Sequence, residues 1–481
     1  MLAEIALWVA VGLALACGVG LVLLRLLGNP DLAPVDGTLD PKDTLDLVKL
    51  SFAVVAGVGG VAALVLTMRR QRVNEAEHRL HQASQQREDT KLYDERYARA
   101  SKQLGSDKAA VRLAGVYAMA SLADDWPDGR QQCIDVLCAY LRMPYTPPAD
   151  PNDDAAREAA GVEDKEKWRQ LQEQRSQERH VRHTIIRVIR DHLRLDAADP
   201  RSWQGRDFDF TGSLFDGGDL SDCVFSGGKV SFVRATFADG TVSFRGAKFQ
   251  GSEVDFSAAT FSGAEVDFSG AEISGGEIDL SRAELSDGTV DFSSAIFSGG
   301  WVFFIGTTFS GGVMSFVRAT FSGCDALFLE STFAGSTVSF RNTTFACGSI
   351  NFSDARFADG AVDFTNALFS GSEVGFYFGV KFSGSNVDFS GARFTGGEVK
   401  FFDAEFSGGT VTFTGAQFAG GNVDLSDPSD NSTPPLFDAE VLGIPPPGLR
   451  LPASGRENEE GEPLEVERGH QTPPPPSRYE H

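Results

Sequence analysis

Hydrophobic and polar residues follow four different patterns along the 481-residue chain. Two apolar runs stand near its start, and a charged stretch with helical spacing follows them. Very short alternation begins near Phe208, and the last segment is rich in Pro and charged residues. These patterns predict four regions, an α part followed by an all-β part and a tail, at 1–72, 73–204, 205–426 and 427–481.

The two apolar runs, at about 5–24 and 50–68, are long enough to cross a hydrocarbon core of about 30 Å as helices. An acidic loop separates them, and Arg69, Arg70 and Arg72 follow the second run. Basic residues beside a span stay on the cytoplasmic side. We therefore predict a two-helix transmembrane hairpin with the N-terminus and the repeat region in the cytoplasm. A signal peptide is the competing interpretation of the first run, but its basic segment and cleavage site are missing.

Small residues lie four apart in the second run, a spacing that lets helix backbones approach closely. The helix-packing set comprises Ala53, Ala56, Gly57, Gly59 and Gly60. It predicts packing between the two helices of the hairpin. A dimer seam, and with it a homo-oligomer, is the alternative.

The segment 73–204 carries apolar residues at helical spacing among many charged ones, and it predicts cytoplasmic helices. Two of these form an αα-hairpin that is broken near Trp126. His180 and His183 stand three apart without a matching carboxylate or Cys, so a basic helix face is a better interpretation than a metal site. Cys133 and Cys138 are interpreted as buried thiols rather than a redox pair.

From Phe208 onwards the chain consists of short repeats that hold 36 of its 38 Phe. Five- and seven-residue units alternate with a period of 12, and one extra residue stands near Tyr377. Residues two apart in an extended segment share a face, so the small residue and the Phe of each unit point inward together. This repetition predicts a β-solenoid. The predicted core ladder is Phe225, Phe232, Phe237, Phe244, Phe249, Phe256, Phe261, Phe268, Phe297, Phe309, Phe321, Phe333, Phe345, Phe357 and Phe369.

The 12-residue period leaves two sizes of turn open. A 24-residue turn would span two periods and have four sides, whereas a 12-residue turn would span one period and have two sides. We expect the larger turn, which gives about nine turns and a rod of about 43 Å at the strand spacing.

The repeat unit, a small residue followed by any residue and then Leu or Phe, resembles that of the pentapeptide-repeat family. The resemblance implies a right-handed, four-sided β-helix with one unit on each side. Two features depart from the family pattern, since Asn or Asp follows the small residue only in part and every second unit is longer by two residues. With segments such as Met68-Arg-Arg-Gln-Arg, the whole chain resembles bacterial membrane-anchored pentapeptide repeat-containing proteins, which implies a bacterial cell membrane but no known activity.

The charge of the chain is acidic, −24 in total, and 27 carboxylates against 11 Lys and Arg give −16 to the segment 207–424. Asp recurs in one slot of the repeat, at Asp255, Asp267, Asp279 and Asp291, which we interpret as solvent-facing. No phosphate-binding loop, G-x-S-x-G or H-E-x-x-H motif occurs. We expect no enzyme, no cofactor and no metal site.

The function predicted from these features is a membrane-anchored, non-enzymatic scaffold or protein-binding module. Its partners would be the lipid bilayer and an unidentified protein docked on the faces or the open end of the rod, with no nucleic acid. The alternative is an acidic DNA mimic that regulates a DNA-binding enzyme such as gyrase, as some pentapeptide-repeat proteins do. The rod reaches about two-thirds of the charge density of B-DNA, but membrane tethering argues against this alternative. The Pro-rich tail at 427–481 is predicted to be disordered.

Overall fold

The computed structural model of the protein describes residues 88–452 without a gap, and scattered positions between 10 and 71. These residues fall into two units, 1–94 and 95–481. In the first unit, every described position within 5–24 and 50–68 is helical. Ala53, Ala56, Gly57 and Gly60 are helical and exposed. Gly59, Arg69, Arg70 and Arg72 lie outside the described residues. Within the part of the chain that is described, no helix combines the length and the apolar character that a membrane crossing requires.

The second unit begins with helices. Residues 95–104 are helical, and they precede α1 (Ala109–Asp125), a 3₁₀ turn (Pro127–Gly129), α2 (Arg130–Leu141), α3 (Asp154–Ala159) and α4 (Lys165–Leu193). The helical hairpin with a break after Trp126 is therefore present, with the break at a Pro-containing turn. A Cβ on Gly115 of α1 would lie 2.7 Å from the backbone nitrogen of Leu104, so only glycine permits this close helix crossing.

A parallel β-solenoid follows the helices. Its strands are β1 (Phe208–Asp209), β2 (Leu214–Phe215), β3 (Gly218–Asp219), β4 (Val224–Ser226), β5 (Lys229–Ser231), β6 (Thr236–Phe237), β7 (Thr241–Ser243), β8 (Lys248–Gln250), β9 (Glu253–Asp255), β10 (Thr260–Asp267), β11 (Glu272–Asp279), β12 (Glu284–Asp291), β13 (Ile296–Phe303) and β14 (Thr308–Phe309). They continue with β15 (Val313–Ser315), β16 (Thr320–Ser322), β17 (Asp325–Leu327), β18 (Thr332–Ser339), β19 (Thr344–Cys347), β20 (Ser349–Asn351), β21 (Arg356–Asp363), β22 (Leu368–Gly375), β23 (Lys381–Asp388), β24 (Arg393–Lys400), β25 (Glu405–Thr412), β26 (Gln417–Phe418), β27 (Asn422–Asp424) and β28 (Leu449–Arg450). A short helix, α5 (Ala439–Gly443), stands before β28.

The register of the strands shows that one turn spans two repeat periods. Phe237 pairs with Phe261, and Phe333 pairs with Phe357, each 24 positions on. The four segments β7, β8, β9 and the start of β10 make up one turn, divided between a 16-stranded and a 12-stranded sheet. The predicted 24-residue, four-sided turn is thus confirmed and the 12-residue alternative is wrong, while the right-handed sense stays a prediction. About ten turns are present rather than nine.

Aromatic rings fill the interior of the rod in four columns, because each ring lies one turn above the next. Phe304 and Phe328 have ring centroids 4.4 Å apart, and Phe316 and Phe340 are 4.8 Å apart. All fifteen residues of the predicted ladder are buried, with at most 3% of their surface exposed. The columns also contain residues that the predicted set lacks, among them Phe292, Phe304, Phe316, Phe328, Phe340, Phe352, Phe364, Phe376, Phe389, Phe401 and Phe413.

The recurring aspartates shape the corners of the solenoid. In each of Asp255, Asp267, Asp279 and Asp291, Oδ1 accepts a hydrogen bond of 2.7–2.9 Å from the backbone N–H two residues on. Such Asx turns fix the backbone where it changes direction. Exposure to solvent, as predicted, is therefore only part of the reason for this slot, and turn formation is the other part.

The N-terminal end of the solenoid is covered by helices α2 and α4, which contact β1 and β3. Asp216 lies at this junction with its side chain only 5% exposed. It accepts hydrogen bonds from the Tyr145 hydroxyl at 2.7 Å and from His183 Nε2 at 3.1 Å. Arg182 donates to the carbonyls of Leu141 and Leu214, one on each side of the junction. This end is therefore closed.

The C-terminal end is covered by the start of the predicted tail. Phe437 stacks on Phe413 with ring centroids 4.8 Å apart, and β28 pairs with β27. The prediction of disorder is wrong for 427–452, because Leu436 and Phe437 repeat the pattern of the array after a longer connection. The predicted disorder of 453–481 lies outside the described residues. The last turn of the array is therefore partly covered, and β28 is the outermost strand of its sheet at this end.

Candidate interaction surface

One outward column of side chains departs from the polar pattern of the array. It runs through the last position of β9 and its counterparts in later turns. Along the rod, the residues paired at this position are Asp255, Asp279, Phe303, Leu327, Asn351, Gly375, Lys400 and Asp424. Two apolar side chains, Phe303 and Leu327, therefore follow two aspartates in the middle of this column.

The first apolar patch surrounds Phe303. Trp301, two residues earlier on the same face, is 39% exposed, and the two rings stack with centroids 5.9 Å apart. Trp301 pairs with Glu277 in the preceding turn and with Asp325 in the following one. A single turn thus presents an indole where its neighbours present carboxylates.

The corner beside this patch is apolar as well. Ile305 and Leu329 occupy the position that Ser281 holds in an earlier turn, and the carbonyls of Ile305 and Leu329 each accept a backbone hydrogen bond of 2.8 Å from the preceding turn. With Phe303 and Leu327 in the Asp slot, these two corners lack the Asx acceptor. Their side chains are half-buried, so part of each apolar surface faces solvent.

The second apolar patch lies where the repeat has its extra residue. The number of residues between paired strand positions grows by one there. Phe333 pairs with Phe357, 24 positions on, but Phe357 pairs with Phe382, 25 positions on. Phe378 has φ +42° and is 54% exposed, and its ring makes an edge contact with Phe402, which is 46% exposed, at 5.5 Å. Beside them a groove of about 410 Å³ also contacts Lys400.

Tyr377 completes the second patch, and its position explains Gly375. A Cβ on Gly375 would lie 1.9 Å from the Tyr377 ring, so the ring occupies the place of the usual Asp side chain. The Tyr377 hydroxyl donates to Glu373 at 2.7 Å. Burial and this carboxylate raise the pKa of the Tyr377 hydroxyl, so it stays a hydrogen-bond donor at neutral pH.

Both patches lie along the same corner of the rod. Backbone hydrogen bonds run from Glu330 to Ser353, from Asp354 to Phe378 and from Phe378 to Phe402, one turn at a time. We call this surface the aromatic edge, and it consists of Trp301, Phe303, Ile305, Leu327, Leu329, Tyr377, Phe378 and Phe402. From Phe303 to its counterpart Lys400 there are four steps between turns, or about 19 Å at the strand spacing. One polar turn, with Asn351 and Ser353, separates the patches.

Carboxylates flank the aromatic edge at both ends. Before it stand Glu253, Asp255, Glu277 and Asp279, paired in register on two adjacent turns. Burial raises the pKa of Glu277, and repulsion from Asp279, Glu253 and Asp255 raises it further. Beside the second patch, Glu373 pairs with Glu398, and Lys400 contacts Glu398 there. The negative charge is therefore most concentrated in the cluster before the first patch.

The residues considered for metal or redox chemistry lie elsewhere. His183 contacts Asp216, whereas His180 Nδ1 bonds to the Ser176 carbonyl. Cys133 and Cys138 are buried free thiols, and burial raises their pKa values to about 11 and about 12. Within residues 88–452 and the scattered earlier positions, no cluster of three His, Cys, Asp or Glu side chains could hold a metal ion.

Sequence reasoning missed the aromatic edge because it interpreted Phe in the array as core. The available signal was the pair Phe303 and Phe304. Adjacent residues in a strand point to opposite faces, so one of two consecutive Phe must point outward. Tyr377 and Phe378 carried a similar signal, since the extra residue there breaks the period.

Comparison with protein families supports the interpretation of the repeats. The family described as pentapeptide repeats (9 copies) matches residues 210–260 and 316–368. The repeat region is therefore a pentapeptide-repeat solenoid, as the sequence predicted. No curated protein and no solved structure matches the chain. The unmatched parts of the array, 261–315 and the part after 368, contain Trp301 and Phe303 in one case and Tyr377, Phe378 and Phe402 in the other.

Proposed function

We propose that this protein is a membrane-anchored, non-enzymatic scaffold that binds another protein along the aromatic edge of its solenoid. The observation that carries the proposal is the stacked pair of Trp301, which is 39% exposed, and Phe303, which is half-buried, at strand positions where the preceding turn presents Glu277 and Asp279. Aromatic residues are enriched at protein interfaces, and clustered exposed apolar surface marks interaction sites. A lateral surface is also away from the N-terminal end, which α2 and α4 cover.

The membrane anchor in this proposal is the hairpin of runs 5–24 and 50–68, with Arg69, Arg70 and Arg72 on the cytoplasmic side. Its support is the apolar length of the runs and the basic residues after them. Two experiments test it. Resistance of the protein to alkaline extraction of membranes supports the anchor, and a reporter fused after Arg72 should be active only in the cytoplasm. Activity of that reporter only outside the cell would show that the orientation is wrong.

The DNA-mimic alternative has the acidity of the rod in its favour, with −16 over the segment 207–424. Its weakness is that the aspartates do not form a continuous column along the rod, because Phe303, Leu327 and Lys400 stand at the positions between them. A mimic of B-DNA needs regularly spaced charge along its length. Inhibition of gyrase supercoiling by the purified protein at stoichiometric concentration would favour the mimic over the scaffold.

Chemical crosslinking in intact membranes tests the scaffold. The informative variant combines Trp301→Ser, Phe303→Asn and Ile305→Ser, and we call it the polar variant. It copies the turn that contains Ser349, Asn351 and Ser353, where Asn351 caps its own corner at 2.8 Å, so the solenoid should fold normally. We expect a discrete crosslinked partner that the polar variant loses. Crosslinks that persist unchanged in the polar variant would contradict binding at the edge.

The matched control is Val313→Thr. Val313 is 38% exposed and lies on the other sheet, between Thr289 and Thr337 of the adjacent turns. The substitution removes exposed apolar surface of similar character away from the edge. It should leave the crosslinked partner in place.

A further inference from the structure

We propose that the partner presents a basic amphipathic segment to the aromatic edge, with apolar side chains on the two patches and Lys or Arg side chains on the flanking carboxylates. This inference rests on the proposed scaffold function and specifies the chemistry of the partner.

The spacing of the two patches determines which apolar pattern the partner segment needs. Trp301 and Phe303 form one stacked pair, and Phe378 and Phe402 form one edge contact. The edge measures about 19 Å, which corresponds to about 13 residues of helix. A polar turn at Asn351 separates the patches, so the segment needs two apolar clusters with a polar residue between them. This is the pattern of an amphipathic segment rather than of a continuous apolar run.

The carboxylates around the patches determine the charge that the partner segment needs. Glu277 stands beside Glu253, Asp255 and Asp279, and this crowding raises its pKa in addition to the effect of burial. Lys229 pairs with Glu253 and also attracts Asp255 and Glu277, so the four carboxylates of this cluster share one lysine. At the other end Lys400 contacts Glu398 and lies 3.8 Å from Glu373. A Lys or Arg of the partner would relieve the repulsion within the first cluster, and an Arg could also stack on the Trp301 indole.

The same charges argue against other occupants of the edge. An anionic lipid surface and a nucleic acid would both be repelled by the carboxylates. A second copy of the chain, docked edge to edge in parallel, would bring like clusters together, and an antiparallel copy would offer the first cluster only Lys400, which already contacts Glu398. Addition of a strand at the N-terminal end is blocked by α2 and α4, and a strand added beyond β28 would lie at the C-terminal end of the rod rather than on the aromatic edge. A basic segment of a different protein therefore fits the surface best.

Peptide binding to the full chain tests the inference. The protein is placed in nanodiscs of neutral lipid, and empty nanodiscs provide the blank. The probe is a fluorescent 14-residue amphipathic peptide of Leu and Lys, and its partner peptide has Glu in place of Lys. We expect the Leu/Lys peptide to bind with an affinity that falls as salt rises, and the Leu/Glu peptide to bind at least about tenfold more weakly.

Two variants locate the binding. The polar variant and a deletion of Phe378, which restores the regular repeat period, should each weaken the Leu/Lys peptide about tenfold or more, as removal of aromatic anchors does. Both leave the net charge unchanged, so a loss cannot be assigned to bulk electrostatics. Val313→Thr should bind like the wild type. Circular dichroism establishes that each variant keeps its β structure.

Three outcomes would overturn the inference. Equal binding of the Leu/Glu peptide would remove the charge argument, and equal binding by the polar variant would remove the edge. Concentration-dependent dimers of the wild type that are absent in the polar variant would assign the edge to a second copy of the chain. The scaffold proposal would survive any of these if the membrane crosslink still depended on Trp301 and Phe303, so the two failures can be told apart.

Discussion

The substitution Phe340→Ala tests whether stacked rings hold the turns of the solenoid together. Phe340 is 1% exposed and lies between Phe316 and Phe364, with both ring centroids at 4.8 Å. A buried Phe→Ala change costs about 3–5 kcal/mol, and each lost aromatic pair contributes about 0.5–1.5 kcal/mol of that. Because two stacked pairs are lost, together with the contacts to Phe328 and Phe345, and each turn is stabilised by its neighbours, we expect a value near the upper limit, about 5 kcal/mol.

Phe340→Leu is the matched comparison, since Leu280 and Leu285 already stand at ring positions and are buried. A swap that nearly conserves volume should cost only about 1–1.5 kcal/mol. Phe402→Ala is the surface control. The Phe402 ring is 46% exposed, so its loss should change the free energy of unfolding by less than about 0.5 kcal/mol.

Urea unfolding of the full chain in mild detergent, followed by far-ultraviolet circular dichroism, measures these differences. We expect the free energy of unfolding to be far lower for Phe340→Ala than for Phe340→Leu, and to be close to the wild-type value for Phe402→Ala. If the Ala and Leu variants at residue 340 unfold within about 1 kcal/mol of each other, the rings do not carry the contact between turns, and the columns are not the source of stability.

Three further predictions concern the corners, the junction and the extra residue. Gly300→Ala should destabilise the protein by more than about 2 kcal/mol in thermal unfolding, because the added Cβ would lie 2.3 Å from the Gly276 carbonyl oxygen. Gly270→Ala should cost only about 1 kcal/mol, because the space around Gly270 is open. Equal losses would refute the clash. Burial raises the pKa of Asp216, but the hydrogen bonds that its partners donate lower it more, so the pKa lies below its ordinary value. The stabilising effect of this carboxylate is therefore present above about pH 4 and is lost as the pH falls below that value. Asp216→Asn should therefore cost about 2 kcal/mol in urea unfolding at pH 7 and progressively less below about pH 4, and a loss independent of pH would exclude the carboxylate as its source. Deletion of Phe378 should keep the stability within about 1 kcal/mol of the wild type, because the unit then matches its neighbours, and a large fall in the urea midpoint would show that the extra residue is structural.

The repeat region could be predicted in detail because its structure is encoded locally. A 12-residue period and the alternation of faces within each strand determine which side chains enter the core. The same rules placed the residues of the ladder, and the register of Phe237 with Phe261 establishes that each turn takes two periods. The role of the recurring aspartates could not be predicted from the sequence alone, because an Asp that caps a turn and an Asp that only faces solvent recur in the same sequence pattern.

The aromatic edge and the closed ends depend on information that is not local. Phe303 and Phe304 are the same residue type, and only their parity in the strand separates surface from core. Asp216 and His183 meet across 33 positions because a helix docks on the end of the rod, and no periodicity predicts that contact. The composition of the tail favoured disorder, yet Phe437 extends a column of the core because its ring stacks on that of Phe413.

Site-specific photocrosslinking in living cells tests whether the two patches of the aromatic edge bind one protein partner. A photoreactive amino acid is placed at residue 301, 378 or 313 in turn, and cells are irradiated without lysis. We expect residues 301 and 378 to form an adduct with one and the same protein, and residue 313 to form none. Adducts of equal yield at residue 313, or different proteins at residues 301 and 378, would contradict a single binding surface along this edge.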